Sequence, residues 1–165
     1  MPEQWRPIPG FEGYYEASDL GRIRSLDRYV VRGGHRHRAY GRILRPVRAG
    51  KGYWYVSLCG PAGQVREAVH RAVLAAFVGP CPSEHEAMHL DGDPGNNQLA
   101  NLRWSSRSEN ILDNVARGTH FQARKTHCKH GHEFTPENTR IRAKANGRVQ
   151  RDCRACWPTR KAVAA

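Results

Sequence analysis

The sequence predicts an α+β chain built from three small parts, and three observations predict it. Short runs of aromatic and branched residues separated by Gly/Pro turns fill residues 1–60. A strand–loop–strand–helix pattern follows within residues 61–118, and three of the five cysteines crowd the C-terminal third at metal-ligand spacing. The expected organisation is a β-rich module (1–60), a compact central unit (61–118), a linker (119–127) and a metal-stapled, zinc ribbon-like hairpin (128–165).

Each element follows from local signals. Residues 14–18 and 22–26 read as two strands joined by a turn at Asp19-Leu20-Gly21. Residues 31–41 (VRGGHRHRAYG) read as a basic, glycine-containing loop. Residues 43–46 and 53–58 read as further strands, Pro61-Ala62-Gly63 as a turn, and residues 65–69 as the returning strand. Residues 70–78 form a short helix with Val73, Leu74, Ala76 and Phe77 on its apolar face. Gly79-Pro80 ends it, because proline cannot continue a helix and glycine accepts the left-handed cap. Residues 86–90 and 101–104 are short strands flanking the turn-rich loop 91–100. Residues 106–117 form a helix, with Ser106 and Glu109 at capping-box spacing and Gly118 as its stop. The central unit is too small to be stable alone, so its core is expected to borrow Leu74 and Phe77.

Composition narrows the function classes. With 165 residues and a mean hydropathy of −0.74, the cores must be small. No apolar run approaches the ~20 residues of a membrane span. The N-terminus has neither a basic start nor an apolar stretch, so a cytoplasmic location is expected. A net charge of +12 points to a polyanionic partner. The charge is uneven: 11 Lys/Arg against 5 Asp/Glu in residues 1–60, 5 against 7 in 61–118, and 11 against 3 in 119–165. Basic ends suit phosphates, and a less basic middle tolerates a divalent cation.

The stretch His89-Leu90-Asp91-Gly92-Asp93-Pro94-Gly95-Asn96-Asn97, followed by Asn101-Leu102-Arg103-Trp104, resembles the HNH nuclease family in its phage and intron-homing branch. Asn101 lies 12 residues after His89 and Asn110 a further 9 on, which is the family's spacing. The resemblance implies a ββα-metal unit that cleaves DNA, with His89, Asn101 and Asn110 at its catalytic centre. Phosphodiester hydrolysis needs an activated water, and His89 is suited to take its proton near neutral pH. The Asn101 carbonyl is expected to fix the His89 ring by accepting its other N–H. Asn110 is expected to ligate a divalent cation, and hard oxygen donors select Mg²⁺ or Mn²⁺. Resembling enzymes often carry Asp directly before the histidine as a metal ligand. Here that position is Met88, which leaves Asp91 as the expected substitute. His70, in a V-H-R pattern that also resembles the family, is expected to cap its helix or to support the site.

Residues 5–26 resemble the nuclease-associated modular domain of homing endonucleases, through Trp5, Ile8-Pro9-Gly10, Tyr14-Tyr15, Ser18, Leu20-Gly21-Arg22 and Arg24-Ser25. That resemblance implies a small β-rich module contacting DNA. Arg22, Arg24, Arg28, Arg32, Arg36 and Arg38 are its expected phosphate contacts. At the other end, Cys128-x3-His132, then 20 residues, then Cys153-x2-Cys156 matches a tetrahedral zinc site, with His130 as the alternative fourth ligand. Gly131-His132 and Thr135-Pro136-Glu137-Asn138 resemble a zinc-binding tail of phage HNH proteins. Between the ligand pairs, Arg140, Arg142, Lys144, Arg148 and Arg151 make a basic hairpin suited to the DNA backbone. Cys59 and Cys81 have no nearby thiol partner and are expected to bind no metal.

The expected function is a metal-dependent, double-stranded-DNA endonuclease, phage-encoded and serving homing or packaging. A single site per chain favours a monomer that nicks. The rival readings are a non-catalytic DNA-binding protein on a decayed HNH scaffold, favoured by Met88, and an RNA-binding zinc protein.

Overall fold

A computed structural model describes residues 2–61, 63–144 and 149–157, with the Arg32 side chain also outside the described set. The described residues form two compact units, residues 1–111 and 112–165.

In the first unit, β1 (Trp5–Pro7), β2 (Tyr15–Ser18) and β3 (Ile23–Ser25) pair antiparallel in that order. The turn after β2 is closed by Gly21 at φ +81°. Residues 28–39 are not the expected loop. They form a hairpin of β4 (Arg28–Arg32) and β5 (His35–Ala39), with Arg32 opposite His35. The reason is the Gly33-Gly34 pair, whose φ values of +57° and +80° fit a two-residue turn matched to strand twist. Residues 43–46 are not a strand either. Ile43 makes one isolated bridge to Arg24, and the next strand is β6 (Val47–Ala49). Pro46, which lacks an N–H, cannot extend a ladder through this stretch. β6 pairs with β7 (Tyr53–Gly60), and β7 pairs with β8 (Gly63–Ala68).

Helix α1 (Val69–Phe77) follows β8 directly and buries Val69, His70, Ala72, Val73 and Leu74. The N–H groups of Val78 and Gly79 both donate to the Leu74 carbonyl, at 2.8 and 3.1 Å, and Gly79 takes φ +115°. This left-handed glycine ends the helix as expected. Trp104 Nε1 donates to the Gly79 carbonyl at 3.1 Å, so the stop also satisfies a half-buried indole. β9 (His85–His89) and β10 (Leu102–Ser106) form the central hairpin, with a 3-10 turn at Leu99–Asn101. Leu102 lies opposite His89. Helix α2 (Arg107–Ala116) opens on a realised capping box. Ser106 N–H donates to Glu109 Oε2 at 2.8 Å, and Glu109 N–H donates to Ser106 Oγ at 3.2 Å.

One core serves the whole first unit. Ile8, Tyr15, Ala17 and Ile23 pack in the same cluster as Val56, Leu58, Leu74 and Leu102. The Tyr15 hydroxyl accepts the Cys59 N–H at 3.1 Å, a further tie between the N-terminal strands and β7. The expected boundary after residue 60 therefore runs through a shared core. In the second unit, β11 (Thr139–Ala143) and β12 (Val149–Cys153) form an antiparallel hairpin with Thr139 opposite Cys153. Residues 119–127 are held to this unit: Arg151 donates to the carbonyls of Gln122 and Lys125 at 3.0 and 2.7 Å. Among the described residues, no helix is long and apolar enough to cross a membrane.

Candidate active site

His89 ends β9 and is buried, 6% exposed. Its ring sits beside two others that the fold brings from separate elements. Its centroid lies 5.1 Å from that of His70 on α1 and 5.9 Å from that of Tyr53 at the start of β7. Tyr53 and His70 are themselves 5.2 Å apart. His70 is as buried as its partner, and its Nδ1 has no hydrogen-bond partner among the described residues. Burial lowers the His70 pKa to about 4, helped by the charges of His89 and Arg71, so this ring is neutral at physiological pH. His70 does not cap α1: that position is Ala68, with no side-chain cap.

The loop after β9 is held by its own polar side chains. Gly92, at φ +76°, returns its N–H to the His89 carbonyl at 3.1 Å. Asp91 Oδ1 accepts the Asp93 N–H at 2.8 Å and Asn101 Nδ2 at 2.9 Å, and its Oδ2 accepts Asn96 Nδ2 at 2.7 Å. Asn101 Nδ2 also donates to the Asn96 carbonyl at 2.9 Å, and Asn101 Oδ1 accepts the Asp91 N–H at 3.0 Å. The hydrogen bond from Asn101 holds the Asp91 carboxyl below its ordinary range, against a small opposing effect of burial.

Two expectations change here. The asparagine beside His89 is Asn97, whose Oδ1 lies 3.3 Å from His89 Nε2, while Asn101 braces the loop that carries Asn97. Asn97 is 8% exposed and was legible only as a turn former. Asp91 is committed to the same bracing network. A second carboxylate lies closer to the helix: Asn110 Nδ2 is 3.4 Å from Glu86 Oε2 on β9, so Asn110 does face the hairpin as expected. Glu86 and Met88 share a strand face, two residues apart. Met88 is 2% exposed, and its sulfur accepts Arg103 at 3.7 Å.

Support for Asn97 comes from the N-terminal strands. A Cβ on Gly21 would stand 2.7 Å from the Asn97 carbonyl oxygen, and Leu99 N–H donates to the Asp19 carbonyl at 2.8 Å. The β2–β3 turn is thus the floor under the residue that faces the His89 ring. No local signal marks Tyr53 or Gly21, because both contacts are between elements distant in sequence.

The second unit gathers Cys128, His132, Cys153 and Cys156, whose ligand atoms all lie within 4.8 Å of one another. His132 presents Nδ1 at 3.6, 3.8 and 3.2 Å from the sulfurs of Cys128, Cys153 and Cys156. Cys128 and Cys156 sulfurs are 3.7 Å apart. A tetrahedron with metal–sulfur bonds of ~2.3 Å has edges of roughly 3.8 Å, close to the 3.7 Å between the Cys128 and Cys156 sulfurs. His130 serves differently: its backbone N–H donates to Cys128 Sγ at 3.4 Å. Burial resists ionisation of Cys128, but the N–H groups of His130 and His132 outweigh it and lower the thiol to about 6. Burial and the neighbouring Cys128 and Cys153 sulfurs push Cys156 up to about 11. Asn138, in the Thr-Pro-Glu-Asn stretch, donates Nδ2 to Cys153 Sγ at 3.4 Å and orients that ligand.

The expected DNA-contacting arginines divide into engaged and free. Arg22 pairs with Glu3, and Arg24 pairs with Glu16 while stacking on Trp5 at 4.3 Å. Arg28 donates to the Tyr15 hydroxyl at 3.3 Å, and Arg38 pairs with Asp27 at 2.9 Å. Arg36 stacks on Tyr29 at 3.8 Å and has no ion pair among the described residues. In the second unit, Arg142 pairs with Asp152 at 3.3 Å, and Arg151 holds the 122–125 backbone while stacking on Phe134. Arg151 is therefore a structural residue. Arg140 stacks on Trp157 at 4.7 Å, Lys144 is exposed, and Arg148 lies outside the described residues.

Comparison with known proteins agrees with this geometry. Residues 3–59 match the NUMOD4 motif, and residues 67–112 match the HNH endonuclease family. Over 120 residues the chain is 30% identical to DNA endonuclease I-HmuI of Bacillus phage SP01, covering 70% of this chain and 60% of that one. The chain thus spans a little under two thirds of that relative's length. A solved structure of DNA binding and cleavage by the HNH homing endonuclease I-HmuI shares the fold, with a TM-score of 0.56 at 24% identity. That match covers 94% of this chain and 82% of the solved one.

Proposed function

We propose that this chain, an HNH endonuclease domain preceded by a NUMOD4 motif, is a metal-dependent DNA endonuclease in which His89 activates water. The observation that carries the reading is the His89–Asn97 contact. With Nε2–H donated to Asn97 Oδ1, the imidazole is held in the tautomer whose basic nitrogen is Nδ1. Neutral His70 and Tyr53 fix the ring plane and keep bulk water from one side of it. Mg²⁺ or Mn²⁺ supplies charge for the pentavalent phosphate and the departing 3′ oxygen. Asn110 and the Glu86 carboxylate beside it are the oxygen donors best placed to hold that ion, and Asp91 shapes the loop. The products are 5′-phosphate and 3′-hydroxyl ends, and a monomer nicks one strand.

The C-terminal donors fit Zn²⁺, because three thiolates and one imidazole in a tetrahedron favour that ion over hard cations. This unit is too small to fold on burial alone, so the ion supplies folding free energy. Arg36, Arg140 and Lys144 contact the DNA backbone. The buried Met88 favours one rival, a DNA-binding protein without cleavage.

Supercoiled plasmid incubated with Mg²⁺ or Mn²⁺ separates the two. The endonuclease reading expects nicked circles with the native chain and none with His89→Ala. Binding without nicking under every metal establishes the rival, and nicking that survives His89→Ala removes His89 from the chemistry.

A further inference from the structure

A groove of about 680 Å³ runs over the β6–β7–β8 sheet. It is lined by Arg42, Arg45 and Arg66, with Tyr55, Ser57 and Val47 between them, and no acidic residue lines it. All three arginines are exposed, and no ion pair among the described residues involves any of them. Arg66 lies over the Tyr55 ring at 4.4 Å, which fixes its guanidinium plane without neutralising it. This contrasts with Arg22, Arg24 and Arg38, whose charges are met by carboxylates within the chain.

Strand β7 links the groove to His89. Tyr55 lines it, and Tyr53, two residues earlier on β7, lies against His89. Residues two apart on a strand share a face, so Tyr53, Tyr55 and Ser57 form one row. At ~3.3 Å per residue that row is about 13 Å long, the axial length of roughly four nucleotides of one strand. A concave, acid-free surface carrying three guanidinium groups that have no ion pair among the described residues fits one occupant, a run of phosphates.

We propose that Arg42, Arg45 and Arg66 hold the sugar–phosphate backbone of the DNA strand that leads to His89. This inference rests on the endonuclease reading and adds the path of the substrate. The arginines are positioning residues: they bind phosphates and set the register of the scissile bond, and they carry no sequence information.

The test measures binding of the full chain to a fluorescent random-sequence duplex across about 50 to 200 mM salt, beside plasmid nicking. The triple variant Arg42→Gln, Arg45→Gln, Arg66→Gln removes the charges, and Arg42→Lys, Arg45→Lys, Arg66→Lys retains them. The Gln variant is expected to lower the slope of log affinity against log salt by about 2 to 3 and to weaken binding roughly 10-fold or more near 100 mM. The Lys variant is expected to recover most of the slope, which separates lost charge from lost fold. An unchanged slope in the Gln variant, with native nicking intact, overturns the groove and leaves the endonuclease standing. Equal loss in the Gln and Lys variants overturns it too, because charge is then not the cause. Failure of the native chain to bind duplex DNA at all overturns both readings together.

Discussion

Replacing His70 by Phe should remove much of the acid sensitivity of the first unit. His70 is buried with Nδ1 unpartnered, and its pKa is lowered from 6.5 to about 4, chiefly by burial. The sign follows from linkage. The unfolded chain binds a proton near the ordinary value and the folded chain resists it, so the neutral form's advantage is complete above pH 6.5 and is lost as pH falls toward 4. The gap between those values corresponds to ~3 kcal/mol at full protonation, of which about 2 kcal/mol is already lost at pH 5. Phe keeps a ring between Tyr53 and His89 but cannot titrate. The assay is urea unfolding at about pH 7.5 and pH 5, followed by fluorescence of Trp54 and Trp104, both packed on the core. Between those conditions the native midpoint should fall by roughly 1 M urea more than that of His70→Phe. Equal shifts in the two proteins would refute the claim that a buried neutral His70 carries this sensitivity.

Other perturbations probe separate links. Leu74→Ala empties a fully buried position and should cost about 3 kcal/mol by the same urea assay. Gly21→Ala places a methyl against the Asn97 carbonyl at a left-handed backbone. Nicking should fall about 10- to 100-fold with DNA affinity nearly unchanged, measured side by side. Met88→Asp adds a carboxylate one residue before His89 and should tighten Mn²⁺ binding several-fold by calorimetry, and an unchanged affinity would place the ion elsewhere. Chelation should release one zinc per chain and unfold the β11–β12 hairpin with its Cys/His cluster, and Cys153→Ser should abolish that zinc in a colorimetric assay.

What the sequence discloses follows the range of the interactions involved. The capping box at Ser106 and Glu109, the stop at Gly79 and the Cys/His spacing are local patterns, and each is present where its residues stand. The hairpin at residues 28–39 was legible in principle, since two adjacent glycines are a turn signal, but the arginines and histidines around them read as a loop. The identity of the residue facing His89 was not legible. Spacing pointed to Asn101, and only the folded loop shows it turned toward Asp91 and Asn96. Charge counting likewise could not separate Arg22, met by Glu3 nineteen residues away, from Arg66, which has no ion pair among the described residues.

The contact between the β2–β3 turn and Asn97 bears on how such chains diversify. Motifs of this kind look like interchangeable cassettes in sequence, yet Gly21 lies under the backbone that presents Asn97 to His89. A recombinant that exchanged the first 60 residues would have to supply a turn of the same shape, with glycine at the same place, or lose the support of Asn97 beside the His89 ring. A graft that keeps the first unit whole preserves that contact, whereas one that cuts at residue 60 divides it.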